Sequence, residues 1–403
     1  MKKIFYCYFH TLTILCIVFI PFSFYLFPWQ IQITDLLFGD PIGMVVKKIF
    51  HTEITDTSVY SDSTSLFALL IILILLSFLL TIAIIKFFAK PEKYFSIIRT
   101  ISIFYLSTIL IKYGADKIFM DQFPSPEPNL LYTRFGDMSK DILYWSTTGT
   151  SKFYNLSMGI IEIISGLMLL IRKTRLPGLL ISTGILLNIV IINFGFDISV
   201  KVFSIFLLLL TLLLLESYFA YLIQALFNRP AVDLTKTPEI QPIIKNHSVR
   251  ITTYFLLLGL ISLEVFYPKL KSGVYDKQFT RQHYYDGGYK VFEAKSSDSI
   301  LPQSAHPIKN IFIHPDGYII FEYPDDQMYD FRLVIDFENQ KLFATDYNEQ
   351  TRSLFFYYDK KDSILTMEYP GDTSMIWLRA KSINYENMPA LRDEFHWTAD
   401  GEW

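Results

Sequence analysis

Cysteine is scarce in this sequence of 403 residues: the two cysteines, Cys7 and Cys16, both lie near the N-terminus. The rest of the chain therefore cannot form a disulfide of its own. The sequence also lacks a Cys-x-x-Cys pair and a Cys/His cluster with metal-ligand spacing. These absences argue against thiol redox chemistry or a metal centre carried by this chain alone.

Charged residues are few as well. Asp, Glu, Lys and Arg together make up 19% of the chain, and the net charge is −3. Without an excess of positive charge, nothing in the composition indicates nucleic acid binding. The sequence also contains no complete catalytic motif, so it predicts architecture better than it predicts a reaction.

Apolar residues make up 51% of the chain and are concentrated in seven runs. Most runs approach the roughly 20 residues that a helix needs to cross the hydrocarbon core of a bilayer. We therefore predict a polytopic α-helical membrane protein with about seven transmembrane helices. The predicted spans are residues 4–27, 66–88, 97–119, 154–171, 176–196, 200–215 and 251–266.

Lysine and arginine in the loops indicate the orientation, because they are enriched on the cytoplasmic side of membrane proteins. In a seven-span arrangement, four basic regions fall on one side, and the opposite loops are acidic or mixed. We therefore predict a multi-pass protein of the bacterial inner (plasma) membrane, with a cytoplasmic N-terminus and a periplasmic C-terminal domain. The basic residues are Lys2 and Lys3; Lys90, Lys93 and Arg99; Arg172, Lys173 and Arg175; and Arg229, Lys236, Lys245 and Arg250.

Residues 267–403 are polar and strand-like. Short runs of alternating apolar and polar residues are separated by turn signals such as Pro315-Asp-Gly317. This pattern predicts an antiparallel β domain, either a lipocalin-like barrel or a sandwich. A barrel can hold an apolar ligand or serve only as a docking surface. Its dispersed histidines are interpreted as surface or packed side chains; they are His283, His306, His314 and His396.

Polar residues inside the predicted spans lie in the outer half of the membrane, on four consecutive spans. Such residues are costly in lipid and usually face a bundle interior or a wet cavity. Two interpretations remain open: an outward-facing polar pocket between spans three to six, or ion pairs that fix the helix register and bind nothing. The pocket candidates are Lys112, Asp116, Lys117, Glu162, Asn188, Asn193, Asp197 and Lys201.

The spacing of these residues predicts specific pairs. Lys112/Asp116 and Asp197/Lys201 are four residues apart, which places each pair on one helical face. Glu162 lies too deep to remain an isolated carboxylate, so it is either paired or protonated, and either Lys112 or Lys117 can reach it from the preceding span. We also expect small residues to permit close helix approach nearby; these are Gly114, Gly159 and Gly166.

The segment 121–152 joins spans three and four on the outer side. Three prolines stiffen its start, and a loop of this length is usually functional or packed as a cap. It either roofs the polar residues or carries an interfacial helix, over residues 137–145, that lies flat on the membrane.

The order of several short motifs resembles the DoxX family. Lys112-Tyr-Gly-Ala-Asp-Lys117, preceded by the basic Arg99, is similar to the family's first-helix signature, and Glu162-Ile-Ile-Ser-Gly166 is similar to its second helix. Further stretches resemble a larger Bacteroidetes-type branch with extra spans and a C-terminal β domain. These stretches are residues 129–150, residues 193–201 and Phe395-His-Trp397.

The resemblance implies a DoxX-like four-helix bundle over residues 95–227. It also implies quinone as a candidate cofactor, because DoxX proteins are similar to a quinone-linked subunit of thiosulfate oxidation systems. The remaining predicted segments are two N-terminal helices with an exterior loop (1–94), a cytoplasmic linker (228–249), a seventh helix (250–266) and the β domain (267–403).

The sequence is compatible with two functions. The first is a non-catalytic component of an envelope complex that docks a protein partner through the exterior β domain. The alternative is an oxidoreductase-associated subunit that binds quinone, or another lipid-soluble molecule, in the polar pocket of the outer leaflet. The lipid bilayer is the expected partner in both cases.

Overall fold

The computed structural model describes residues 2–87, 91–227, 247–272, 285–296, 299–370 and 375–392. The chain divides into two compact units. The helical unit comprises Met1–Gln122 and Leu156–Tyr275, and the barrel unit comprises Phe123–Asn155 and Asp276–Trp403. Most of the predicted linker 228–249 lies outside the described residues, as do His283, His396 and the motif Phe395-His-Trp397.

Ten α-helices are present in the described part of the chain. Two of them, α5 and α6, are short and belong to the barrel unit. The helices are α1 Lys2–Phe19, α2 Gln30–Val45, α3 Thr64–Phe87, α4 Pro91–Ile118, α5 Pro128–Tyr132, α6 Lys140–Gly149, α7 Lys152–Leu170, α8 Arg175–Gly195, α9 Lys201–Phe227 and α10 His247–Ser272.

Five of these helices are long and apolar enough to cross a membrane, so the chain has the character of a polytopic membrane protein. They are α3, α4, α7, α8 (extended to Arg172 by a short 3-10 turn) and α9. The apolar parts of α1 and α10 are shorter, at Ile4–Phe19 and Thr252–Pro268. The count of seven spans therefore stays a prediction.

The first predicted span, residues 4–27, is only partly helical. Helix α1 ends at Phe19, because Pro21 disfavours the helical conformation of the residue before it. The chain then continues without helix through Trp29. Helix α2 follows in a stretch predicted to be an exterior loop, and a π-helical turn at Val46–Phe50 extends it.

Helices α4 and α7 approach each other closely through glycines, which confirms the predicted role of Gly114, Gly159 and Gly166. A Cβ atom on Gly114 would lie 2.6 Å from the carbonyl oxygen of Gly159, and one on Gly166 would lie 3.0 Å from that of Ser107. The hydroxyl of Ser107 donates to the Gly166 carbonyl at 2.7 Å. Side chains larger than hydrogen would therefore force these two helices apart.

The C-terminal β domain is a closed antiparallel barrel, so of the two predicted forms the structure has the barrel. Eight strands form it, because β1 pairs with both β3 and β9; the two-residue β2 adds to one end of β1. The strands are β1 Gly287–Ser296, β2 Ser299–Ile300, β3 Asn310–His314, β4 Tyr318–Glu322, β5 Met328–Asp336, β6 Lys341–Thr345, β7 Thr351–Asp359, β8 Ile364–Pro370 and β9 Met375–Ser382.

Alternating side chains fill the barrel interior, as expected for eight strands. The aromatic members of its buried cluster are Tyr285, Tyr289, Phe321 and Phe356, and aliphatic side chains from β1 and β3–β9 join them. The predicted turn at Pro315-Asp-Gly317 connects β3 to β4, with Gly317 at φ +81°. This positive φ accounts for the glycine at that position.

The connection between α4 and α7 belongs mostly to the barrel unit, although the sequence placed it within the four-helix bundle. The ring of Tyr132 lies 5.7 Å from that of Phe312 on β3, and Arg134 forms an ion pair with Asp326. The predicted helix over residues 137–145 corresponds to α6 at Lys140–Gly149. The stretch from Tyr132 to Arg134 thus packs on the barrel wall.

Candidate functional site

A cavity of about 280 Å³ lies inside the helical unit and contains charged side chains. We call it the Lys112 cavity. The far end of α4 supplies one wall, the start of α9 a second, and the loops that follow α1 and precede α3 supply the rest. Its lining includes Phe22, Tyr60, Asp62, Lys112, Tyr113, Asp116 and Phe203.

The central polar pair of the cavity is Lys112 and Asp116. These residues lie one helical turn apart on α4, and the Lys112 Nζ atom lies 3.4 Å from the Asp116 Oδ2 atom, as the spacing predicted. Both side chains are partly buried, at 17% and 18% exposure. An ammonium group at this distance from one carboxylate keeps donors for a second acceptor. The pair can therefore bind the oxygen of a ligand in the cavity.

Asp62 forms another wall and was not among the predicted site residues. Its two carboxylate oxygens accept the backbone N–H groups of Lys201 at 2.8 Å and Val202 at 3.0 Å. These are the first residues of α9, where free N–H groups and the helix dipole favour an acid. The sequence shows Asp62 only as one acid of a loop, because its partner helix is about 140 residues further along.

The predicted pair of Asp197 and Lys201 is confirmed, with 2.8 Å between the Lys201 Nζ atom and the Asp197 Oδ1 atom. The Lys201 Nζ atom also lies 3.9 Å from Asp62. Asp197 itself is exposed and adopts φ +53° in the turn between α8 and α9. The side chains of Asp62, Asp197 and Lys201 together thus hold the start of α9 against the loop that borders the cavity.

The buried carboxylate of Glu162 pairs with Lys117, and not with Lys112. The Lys117 Nζ atom lies 2.8 Å from the Glu162 Oε2 atom and 2.9 Å from the Gln122 Oε1 atom. The other oxygen of Glu162 is buried and has no hydrogen-bond partner in the described part of the chain. Neither residue of the pair lines the Lys112 cavity, so this pair connects α4 to α7 in the bundle interior.

The two predicted asparagines on α8 do not reach the cavity. Asn193 is buried, with its amide nitrogen 3.5 Å from the Val200 carbonyl oxygen, and Asn188 is exposed. The Lys112 cavity thus differs from the predicted pocket between spans three to six, which stays a prediction: no described residue of α7 or α8 lines this cavity, whereas residues 20–23 and 59–62 do. The reason is that segments before span three pack against α4 and α9.

Metal binding finds no support in the described ranges, where no group of three or more His, Cys, Asp or Glu side chains has a suitable arrangement. Cys7 and Cys16 are both buried, and no disulfide joins them. The chemical groups at the Lys112 cavity are thus an ammonium, carboxylates, tyrosines and phenylalanines. Such a set binds polar oxygen atoms within an apolar frame.

The fold and the cavity together define a polytopic membrane protein that carries a β-barrel domain. A similar curated protein is the uncharacterized protein YwoB of Bacillus subtilis (strain 168), with 34% identity over 103 residues. The match covers 26% of this chain and 65% of that protein, a little under two thirds of its length. No protein-family model matches the chain. No solved structure matches it either.

Proposed function

We propose that the helical unit binds a small, lipid-soluble molecule with carbonyl oxygens, of the quinone class, in the Lys112 cavity. The observation that carries this proposal is an ion pair, Lys112 with Asp116, that opens onto a cavity of about 280 Å³ within an apolar bundle. An ion pair that only fixes the helix register does not require a cavity beside it. The proposal makes this chain an oxidoreductase-associated membrane subunit of the DoxX type.

The dimensions and chemistry of the cavity suit one quinone head group. Ligand sites have volumes of roughly 300–1,000 Å³, so this cavity accommodates a ring but not a long isoprenoid tail. Lys112 supplies a donor for a carbonyl oxygen, and Phe22 and Phe203 supply apolar walls. A bound quinone would supply reversible electron and proton transfer; the residues of this chain would bind and orient it.

The test uses the full-length protein purified from membranes, with mass spectrometry of the extracted small molecules. We expect one lipid-soluble compound in near-stoichiometric amount. Lys112→Met and Asp116→Asn should each reduce it about tenfold, which corresponds to the loss of one charge-assisted hydrogen bond. Asn188→Leu is the matched control, because Asn188 is polar and exposed on α8. Bulk phospholipid alone, or an equal loss in the control, would contradict the proposal.

A second function, docking of an envelope protein through the barrel, has one observation in its favour. Trp377 on β9 is exposed on the outer wall, and its ring lies 5.0 Å from that of the partly buried Phe355 on β7. Tyr357 on β7 is exposed in the same region. Aromatic residues are enriched in the cores of protein interfaces.

This docking function is tested by affinity purification from membranes. A stoichiometric partner should be lost with Trp377→Ser and retained with Ile300→Ser, which alters an exposed apolar residue of β2. If both variants recover the same proteins as the unchanged chain, the docking function fails.

We also propose that the protein resides in the bacterial inner membrane with a cytoplasmic N-terminus and a periplasmic barrel. The charge asymmetry of the loops supports this orientation. A reporter that is active only in the periplasm should be active after residue 403 and inactive after residue 237. The reverse pattern would overturn the orientation.

A further inference from the structure

Tyr113 on α4 lines the Lys112 cavity, and its side chain is partly buried. Its hydroxyl has no hydrogen-bond partner in the described part of the chain. Unlike the hydroxyl of Tyr105, about two turns earlier on the same helix, it is not closed off from water. A tyrosine hydroxyl carries its proton at neutral pH and donates a hydrogen bond. The cavity therefore has a donor at Tyr113 that the ion pairs of the site do not use.

The ring of Tyr113 is held by contacts with two neighbours. The ring of Phe22 meets it edge to face, with 5.5 Å between centroids, and the Lys117 Nζ atom lies 5.6 Å from its centroid. Phe22 also lines the cavity, whereas Lys117 donates to Glu162 in the bundle interior. A side chain that is already fixed loses little conformational entropy when a ligand binds to it. Tyr113 is thus suited to hold a ligand in one orientation.

Lys112 and Tyr113 supply donors to different parts of the cavity wall. They are neighbours in sequence, but consecutive side chains leave a helix in directions about 100° apart. Lys112 turns towards Asp116, one turn further along α4, and Tyr113 lies beside Lys117 in the same way. A ring with oxygen atoms on opposite sides can therefore engage both donors, whereas a ring with one oxygen engages one of them.

We propose that Tyr113 is a specificity-determining residue of the Lys112 cavity: its hydroxyl donates to a second oxygen of the ligand, while Lys112 donates to the first. The cavity thereby selects rings with two carbonyl groups over rings with one. The inference rests on the function proposed above, because it concerns the ligand of the same cavity. Two hydrogen bonds also fix the orientation of the ring, since a ring held by one oxygen can turn about it.

The test measures equilibrium binding of two probes to the full-length protein in nanodiscs, with empty nanodiscs as the blank. One probe is a dimethylated para-naphthoquinone, which has two carbonyl groups. The other is α-tetralone, a bicyclic ring with one carbonyl group. Lys112→Met should weaken the binding of both probes, because the ammonium is the stronger donor and takes the oxygen of either. Tyr113→Phe keeps the ring and removes only the hydroxyl. It should weaken quinone binding about three- to tenfold, the range for one hydrogen bond, and leave tetralone binding unchanged.

Tyr105→Phe is the matched control, because the hydroxyl of Tyr105 is closed off and Tyr105 does not line the cavity. It should leave the binding of both probes unchanged. The infrared spectrum of the bound quinone gives a second measurement, since a hydrogen bond lowers the stretching frequency of a carbonyl group. Both carbonyl bands should lie below their positions in the free quinone. In Tyr113→Phe one band should return towards its free position, and in Tyr105→Phe neither should.

The outcomes separate this inference from the proposed function. If Lys112→Met weakens quinone binding but Tyr113→Phe changes neither the affinity nor the carbonyl bands, the role of Tyr113 is wrong and the Lys112 site stands. If Tyr113→Phe weakens both probes equally, both donors bind one oxygen and the cavity does not select for two carbonyl groups. If the quinone does not bind, or binds equally well to Lys112→Met, the proposed function and this inference are both wrong.

Discussion

Each unit of the molecule buries a glutamate that is paired with a lysine, and the two carboxylates are satisfied in different ways. In the barrel unit, both oxygens of Glu322 are bonded: Oε1 lies 2.7 Å from the Lys309 Nζ atom, and Oε2 accepts the Asn310 amide at 2.7 Å. In the helical unit, Glu162 has a bond from Lys117 on one oxygen, and no described residue bonds the other.

The difference follows from how each fold brings partners together. Asn310 and Glu322 are opposite residues in the β3–β4 ladder, so the hairpin alone places them in contact. Lys117 and Glu162 are 45 residues apart and meet only where α4 and α7 pack at Gly114 and Gly159. A buried charge in the helical unit therefore depends on tertiary packing, whereas the barrel satisfies its charge locally.

The largest expected change in stability comes from removing one member of the buried pair of Lys117 and Glu162 in the helical unit. Glu162→Gln and Lys117→Met should each lower the free energy of unfolding by about 3–5 kcal/mol, because each leaves a buried charge without its partner. The double variant should be much milder than the sum. SDS-induced unfolding in mixed micelles measures these values.

Lys112→Met is the matched control for this comparison of single and double variants. Lys112 pairs with Asp116 and not with Glu162, so this change should be additive with Glu162→Gln. Additive losses for Glu162→Gln and Lys117→Met would instead show that the buried pair contributes no coupling, and that the comparison with Glu322 is wrong.

A somewhat smaller effect is expected from the helix contact that creates the pair. Gly114→Ala would place a methyl group 2.6 Å from the Gly159 carbonyl oxygen and should cost about 1–3 kcal/mol. Gly184→Ala is the control: no atom lies within 4 Å of its added Cβ, so it should be neutral or slightly stabilising. Equal behaviour of the two variants in the same unfolding assay would rule out a close contact.

Much of this architecture could be predicted from the sequence, since it depends on local patterns. Apolar blocks predicted helices, period-two alternation predicted strands, and the four-residue spacing predicted the pairs of Lys112 with Asp116 and Asp197 with Lys201. The depth of Glu162 predicted a lysine partner on the preceding span, and Lys117 is that residue.

The walls of the Lys112 cavity could not be predicted, because they depend on contacts between residues that are distant in sequence. Asp62 resembles any loop acid until α9 is placed beside it. Residues 20–23 look like part of a span, although Pro21 ends that helix early.

The barrel should tolerate loss of its buried charge better than the helical unit. Glu322→Gln keeps one acceptor oxygen, and the lysine that it leaves is half-exposed and can be hydrated, so we expect a cost of about 1–2 kcal/mol. Hydrogen exchange of β3 and β4 peptides in the full-length protein measures it. The control, Glu293→Gln, alters an outer-wall pair with Arg379 and should cost less than about 1 kcal/mol. If Glu322→Gln lowers the free energy of unfolding as much as Glu162→Gln does, the two units do not differ in how they tolerate the loss of a buried charge.

The smallest expected effect is a pH dependence at the contact between α5 and the barrel. His314 on β3 lies 2.8 Å from Glu127, and this hydrogen bond raises the pKa of His314 above its usual value, with smaller contributions from the charges of Glu127, Asp316 and Asp286 and an opposing one from burial. Because the folded pKa is raised, the pair contributes fully below about pH 6.5, the unfolded value, and its contribution is lost as the pH rises through the folded pKa.

Proteolysis of residues 123–139 in the full-length protein should therefore accelerate as the pH rises from about 6 to 9, by an amount equivalent to less than about 1 kcal/mol for a partly exposed pair. Glu127→Gln should make the rate nearly independent of pH. The nearby pair of Arg134 with Asp326 provides the control, because it contains no histidine and Arg134→Gln should raise the rate equally at every pH. If Glu127→Gln keeps the pH dependence, the effect comes from another group and the contact does not depend on His314.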